Sequence, residues 1–368
     1  MTEPLSETPP PEPRFSPVAF LLAVAVGAAG GALFAYLRLP LPWMLGAMSA
    51  TTVAALMGLR MQMPRRLRMP MSAVIGVMLG AAFTPDLVDR IATWSVTLAG
   101  LLVYAVVAGG LVMTYLRLVA GYDARTAYFS SSPGGLGEMT LIAGEMGADE
   151  RIVGLSHALR ILLVVMALPF LFQIFGEYEP IDQMLPPGSS MDMPLEDWAL
   201  LIACAVGGAL VAKPLRIPAP FLVGPVVFSG AVHMLGVTDS APPGFLVAVA
   251  QVVIGSSVGC RFVNTAVEEV LRTLLVACGS TVILLGTAVV FGLALQLMVD
   301  VEWPVLLLAY APGGLAEMSL VALGIGSDVA FVATHHIIRI AIIIILGPTA
   351  FRLFQRSLPP PDKTEPRP

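Results

Sequence analysis

Pro133-Gly-Gly-Leu-Gly-Glu138-Met139 returns 179 positions later as Pro312-Gly-Gly-Leu-Ala-Glu317-Met318. The match continues without a gap. Asp149 falls on Asp328, His157 on His336, Arg160 on Arg339 and Pro169 on Pro348, and 15 of the 37 positions from 133 to 169 are identical in the second copy. Upstream, Arg38-Leu-Pro-Leu-Pro42 aligns with Arg216-Ile-Pro-Ala-Pro220 one residue off that spacing, and Gly76 and Gly80 align with Gly255 and Gly259. The duplication thus covers nearly the whole chain. The repeated residues are those most costly in apolar surroundings: acids, imidazoles and guanidiniums beside a helix break. Such paired breaks are the sequence pointer to a binding site near the middle of a bilayer.

The surroundings are apolar. Hydrophobic residues make up 57% of the 368 and charged residues only 12%, where a soluble domain carries roughly 25% charged residues. Several runs approach the ~20 apolar residues that a spanning helix needs. The fold expected is an all-α polytopic membrane protein made of two homologous halves. The ends divide off by composition. Residues 1–15 read as a disordered cytoplasmic tail, 16–176 as the first membrane repeat, 177–197 as an acidic extracytoplasmic linker, 198–357 as the second repeat and 358–368 as a second disordered tail. The N-terminal tail lacks the basic start and cleavage site of a signal peptide.

Positive charge decides between topologies, because Lys and Arg collect in cytoplasmic loops. Each half offers six hydrophobic segments. If all six cross and the halves run parallel, the 18 Lys and Arg outside the repeated motif divide 11 inside to 7 outside. If the Pro-Gly-Gly segment enters and leaves on one face, each half crosses five times, the second half is inverted, and the same 18 divide 16 to 2. A variant in which the short segment 72–84 is re-entrant gives 13 to 5. The favoured topology is therefore inverted repeats of about five crossings each, both termini cytoplasmic, with a broken, re-entrant Pro-Gly-Gly helix in each half.

Proline removes a backbone donor and glycine weakens helix propensity, so Pro-Gly-Gly interrupts a helix. The helix resuming at Leu136 or Leu315 offers free amides and a positive dipole end, a seat for an anion. Gly134, Gly135, Gly313 and Gly314 would shape the opened backbone. Glu138 and Glu317 stand near the start of the resumed helix, as candidates for proton or cation coupling or as acids that only stabilise the break. His157 and Arg160, like His336 and Arg339, share a helix face at i, i+3. An arginine at that depth needs a carboxylate, a carbonyl or a bound anion. The arginines would therefore hold an anionic solute or the two glutamates, with the histidines tuning them or relaying protons. Asp149 and Asp328 read as N-caps of the final helix of each half, and His335, opposite Ser156, as a packing or hydrogen-bonding residue.

Four histidines and three scattered cysteines give no metal-binding spacing. No nucleotide motif, cofactor motif or catalytic constellation is present, and neither tail supplies a nucleic-acid-binding surface. The expected partners are the bilayer and a small molecule or ion; a homo-oligomer is open.

The duplicated Pro-Gly-Gly-x-x-Glu-Met segments, the trailing His and Arg, and the R-x-P-x-P-x-x-x-Gly approach to each half resemble the AbrB-type duplicated membrane protein family. The resemblance runs from about 16 to 355. It implies a multi-pass protein of the bacterial inner membrane that acts as a transporter. Family labels also include ammonia monooxygenase and a link to regulation of gene expression. The thin ligand supply disfavours the copper chemistry of the first label. The absence of a basic domain disfavours direct DNA binding under the second. The function expected is secondary transport of a small, anionic solute coupled to an ion or proton gradient. The alternatives are an indirect regulatory role and, further off, a membrane-bound monooxygenase.

Overall fold

A computed structural model describes residues 15–85, 87, 94–132, 134, 136–174 and 189–356, without the side chains of 136–138 and 354–356. The far parts of both tails and most of the linker lie outside these residues. The described chain forms fourteen α-helices, seven in each half. In the first half they are α1 (Pro17–Tyr36), α2 (Pro42–Leu56), α3 (Arg65–Gly80), α4 (Trp94–Leu118), α5 (Ala124–Ser131), α6 (Leu136–Glu145) and α7 (Glu150–Ile174). In the second they are α8 (Leu195–Ala212), α9 (Pro220–Met234), α10 (Gly244–Gly259), α11 (Val267–Gln296), α12 (Trp303–Tyr310), α13 (Leu315–Gly324) and α14 (Val329–Arg356). Among the described residues, seven helices are long and apolar enough to cross a membrane. The protein is an all-α polytopic membrane protein.

The repeat is visible in the backbone itself. Arg38 and Arg216 take φ of 53° and 54°, and Leu41 and Ala219 take 43° and 46°. These left-handed residues cost about 1–2 kcal/mol each when they are not glycine. They turn the chain sharply before Pro42 and Pro220, which sit in the first turn of α2 and α9, where a missing N–H costs nothing. The elbow folds α1 against α2 and α8 against α9.

Between halves the packing is reciprocal: α3 lies on α9, and α10 lies on α2. Lipid gives helices no hydrophobic reason to associate, so close backbone approach must supply the attraction. A Cβ on Gly76 would come within 2.5 Å of the Leu222 carbonyl oxygen, and one on Gly255 within 2.5 Å of the Met44 carbonyl oxygen. The same contact is thus made twice, once in each direction across the pseudo-twofold axis. At that axis α4 meets α11, and Tyr104 donates to the Leu284 carbonyl oxygen at 3.3 Å. The outer faces of these two helices, with Val103, Val106, Leu275 and Val290, are exposed as a lipid-facing surface requires.

The Pro-Gly-Gly segments form hairpins. At eight and ten residues, α12 and α13 reach only ~12 and ~15 Å, well short of a bilayer core of about 30 Å. Glu302, before α12, and Gly326, after α13, line one vestibule, so the hairpin enters and leaves on one face. In the first half, the Asp149 N–H donates to Thr126 Oγ1 at 3.0 Å, which ties the end of the α5–α6 hairpin to its beginning. The short segment 72–84 is instead mostly the continuous helix α3.

The hairpins enter from opposite faces. Asp239, just before α10, lies beside the α12–α13 base. Arg261 and Phe262, just past the other end of α10, lie beside Glu150 and Arg151 at the α5–α6 base. A full helix separates the two bases, so the halves are inverted.

Candidate functional site

Each hairpin is held by the last helix of its own half. Asp149 and Asp328 start those helices, accepting from the N–H groups of Ile152 at 3.0 Å and Phe331 at 2.9 Å. From there α14 runs alongside α12. His336 Nε2 meets the Leu308 carbonyl oxygen at 2.9 Å. Arg339 donates from Nη1 to the Ala311 carbonyl at 2.6 Å, and from Nη2 to Gly313 at 2.9 Å. The first half repeats the arrangement. His157 Nε2 meets the Phe129 carbonyl oxygen at 2.9 Å, and Arg160 donates to Ser130 at 3.3 Å and to Ser132 at 3.1 Å. Leu308 is the repeat equivalent of Phe129 at the same 179 spacing.

The physical logic is that of a helix end. Pro312 stops α12, which leaves its last carbonyls without intrahelical partners. A guanidinium there satisfies those carbonyls and sits at the negative end of the helix dipole. In turn Arg339 Nη2 lies 3.1 Å from His336 Nδ1, and Arg160 Nη2 lies 3.2 Å from His157 Nδ1. An arginine only donates, so Nδ1 accepts and the ring proton sits on Nε2, facing the carbonyl. Both ring nitrogens of each histidine are thereby engaged within the protein. Among the described residues neither guanidinium reaches a carboxylate, since the ion pair found there joins Arg151 and Glu269 elsewhere. Of the three kinds of partner that the sequence allows these arginines, the carbonyl is the one observed.

Other predicted residues are placed as follows. Gly314 is the N-cap of α13 and Glu317 lies in its first turn. The Glu317 carboxylate folds back over Gly314, where any Cβ would run into it. A Cβ added to Gly134 would come within 3.0 Å of Ile343 on α14, so the first hairpin tip lies near the helix that anchors the second. Gly135 lies outside the described residues, as does the side chain of Glu138. His335, which breaks the repeat symmetry, bonds Thr97 Oγ1 at 2.9 Å and stacks on Phe331 at 4.0 Å, a packing role.

One cavity of about 300 Å³ gathers these parts. Gly134 from one tip, Gly313, Gly314 and Glu317 from the other, and both Arg160 and Arg339 line it. Its mouth carries Arg65, Arg68 and Arg261. The Glu317 carboxylate feels the charges of Arg261 and Arg68. Arg160 and Arg339 are only 3% and 2% exposed, and the Nε of each has no acceptor among the described residues. The mouth arginines escape a reading of the site from sequence, because they stand in loop-flanking clusters that serve equally well as topology signals. Only their counterparts on other helices reveal the shared opening.

Inverted repeats that present two interrupted hairpins to one cavity define a duplicated polytopic membrane protein. The model of the AbrB family, described as "Transition state regulatory protein AbrB", matches residues 43–355. The chain belongs to the AbrB family. It is similar to "Uncharacterized protein YhjN" of Bacillus subtilis (strain 168), at 26% identity over 90% of this chain and 91% of that protein. It is also similar to "Putative regulator AbrB" of Escherichia coli (strain K12), at 28% identity over 89% and 93%.

Proposed function

We propose that this protein is a secondary transporter of a small anionic solute, coupled to an ion or proton gradient. The observation that carries the reading is the single cavity lined by both hairpin tips and both buried arginines. Against its five arginines stands one described carboxylate, Glu317, so the cavity favours an anion. Irregular backbone at membrane depth is tolerated where it lines such a cavity. Glu317, beside those arginines, would exchange a proton or cation as the solute binds.

The proposed setting is a bacterial inner membrane. The face carrying Arg65, Arg68, Lys213 and Arg261 would be cytoplasmic by the positive-inside rule, together with both termini. The opposite vestibule, lined by Asp239, Asp300, Glu302 and Asp328, would face outward. We assign no catalytic step to this site. A regulatory role, which the name of the Escherichia coli relative favours, would follow indirectly, through the solute moved.

The test is flux. Purified protein in liposomes loaded with a pH-sensitive dye should show a change of internal pH when small organic anions are added outside, and empty liposomes should not. Anion binding to the protein without flux of any kind would favour a sensor and overturn the transporter.

A further inference from the structure

We infer that the solute is an amphipathic monoanion, a carboxylate on a compact apolar body, rather than a small inorganic or multiply charged anion. The inference rests on the reading of the central cavity as the solute site, and it comes from the division of that cavity's lining. The wall between mouth and hairpin tips is apolar: Phe221, Leu222, Ile254, Val258 and Ile340. Ser72 and Ser257 also line the cavity, and the Ser257 hydroxyl donates to the Ile254 carbonyl at 2.7 Å. A second hydrophilic group held against these five side chains would exchange water for hydrocarbon, an unfavourable transfer. The wall therefore selects an apolar body.

The poles set the charge. At the mouth, Arg68 and Arg261 already stand in the field of the Glu317 carboxylate. At the tips, Arg160 and Arg339 spend their terminal nitrogens on backbone carbonyls, and each keeps an Nε–H without an acceptor among the described residues. These deep guanidiniums are the cationic pair that a solute carboxylate would complete. The elbow at Ala219 contributes to selection as well, because its left-handed turn delivers Pro220 and Phe221 to the cavity. A volume of about 300 Å³ lies at the small end of ligand pockets. It suits an arylacetic or branched-chain oxo acid and excludes a long acyl chain.

The experiment is a thermal-shift and binding titration on the full-length protein in detergent, followed by flux in liposomes. The probes are phenylacetate, α-ketoisocaproate, acetate, succinate, inorganic phosphate and the neutral analogue phenylacetamide. Phenylacetate or α-ketoisocaproate should stabilise the protein most, by mass action on the folded state, and phenylacetamide should not. Phe221→Ala, at a partly exposed position, should keep the fold and weaken phenylacetate binding about tenfold, the worth of one lost apolar contact face. Arg339→Lys should weaken it by about tenfold or more, through one lost charge-assisted bond. If succinate or phosphate stabilises best, the inference falls while anion transport stands. Equal stabilisation by phenylacetamide removes the anionic head and overturns it. If added phosphatidylglycerol displaces phenylacetate, a lipid headgroup is the natural occupant and the inference is again overturned. If no probe binds and none drives flux, the transporter reading falls with it.

Discussion

His336 and Arg339 act as one unit. The imidazole carries its proton toward Leu308 and offers its lone pair to the guanidinium, which grips the end of α12. Removing one member strands polar groups that water cannot reach, and that asymmetry makes such units expensive to break. His336→Ala should cost roughly 2–3 kcal/mol, the range for charge-linked buried bonds, read as a lowered melting temperature in detergent. His157→Ala should behave alike at the first hairpin. Arg339→Lys keeps the charge but loses the planar fork that reaches two carbonyls and an imidazole together. It should melt earlier than the parent by about 1–2 kcal/mol and still elute as a monodisperse protein on size exclusion. An unchanged melting temperature would mean that the hairpin is held by other contacts.

Helix pairing rests on a few close approaches rather than on apolar area. Gly255 on α10 and Gly76 on α3 make the same backbone contact in opposite directions. Gly255→Val would push α10 off α2, where rigid backbone rather than a flexible side chain stands in the way. The expected loss is about 1–3 kcal/mol or more, read as early melting or aggregation on size exclusion. Gly110, on the lipid face of α4, has nothing within 4 Å of its added Cβ. Gly110→Ala should therefore be neutral or stabilise by up to about 1 kcal/mol, through helix propensity alone. Together the pair separates close approach from propensity, since both changes only add carbon to a helical glycine.

Inversion has consequences across the molecule. The α12–α13 base and the α5–α6 base belong to opposite faces, so loops next to them should be reachable from opposite sides of a cell membrane. In a cysteine-free background, Asp300→Cys should react with an impermeant maleimide on intact cells. Lys213→Cys and Arg65→Cys should react only after permeabilisation. Labelling of Asp300→Cys and Lys213→Cys from one side would contradict the inverted arrangement. The pockets beside the two hairpin bases differ in volume, about 1310 Å³ beside α12–α13 and 500 Å³ beside α5–α6. The repeat is exact in connectivity and unequal in side chains: His335 stands opposite Ser156, Trp94 opposite Thr273 and Tyr310 opposite Ser131. The bulkier set packs together behind the larger vestibule, with Trp94 edge-on to Phe331 at 5.4 Å and Tyr310 bonded to the Thr97 carbonyl.

Much of this architecture was legible in the chain. Membrane class follows from hydrophobic content, because only helices or closed barrels satisfy a backbone in lipid. Duplication follows from identity at a constant offset. The helix break follows from Pro-Gly-Gly, the resumption at Leu136 and Leu315 from the glycines before them, and inversion from the distribution of arginines. These are local or additive properties, which a linear string carries in full. Contacts between distant residues were not legible. Charge arithmetic weighed one re-entrant segment against another, but joining Thr126 to Asp149 needed folded coordinates. The sequence showed that Arg160 and Arg339 need a partner and left three kinds open. Which kind each meets depends on where α7 and α14 pass the hairpins, and folding put backbone carbonyls there. Arg68 and Arg261, nearly 200 positions apart, became walls of one cavity because the start of α3 and the end of α10 both reach it. No pattern along the string encodes that meeting, since it depends on the packing of helices from both halves at once.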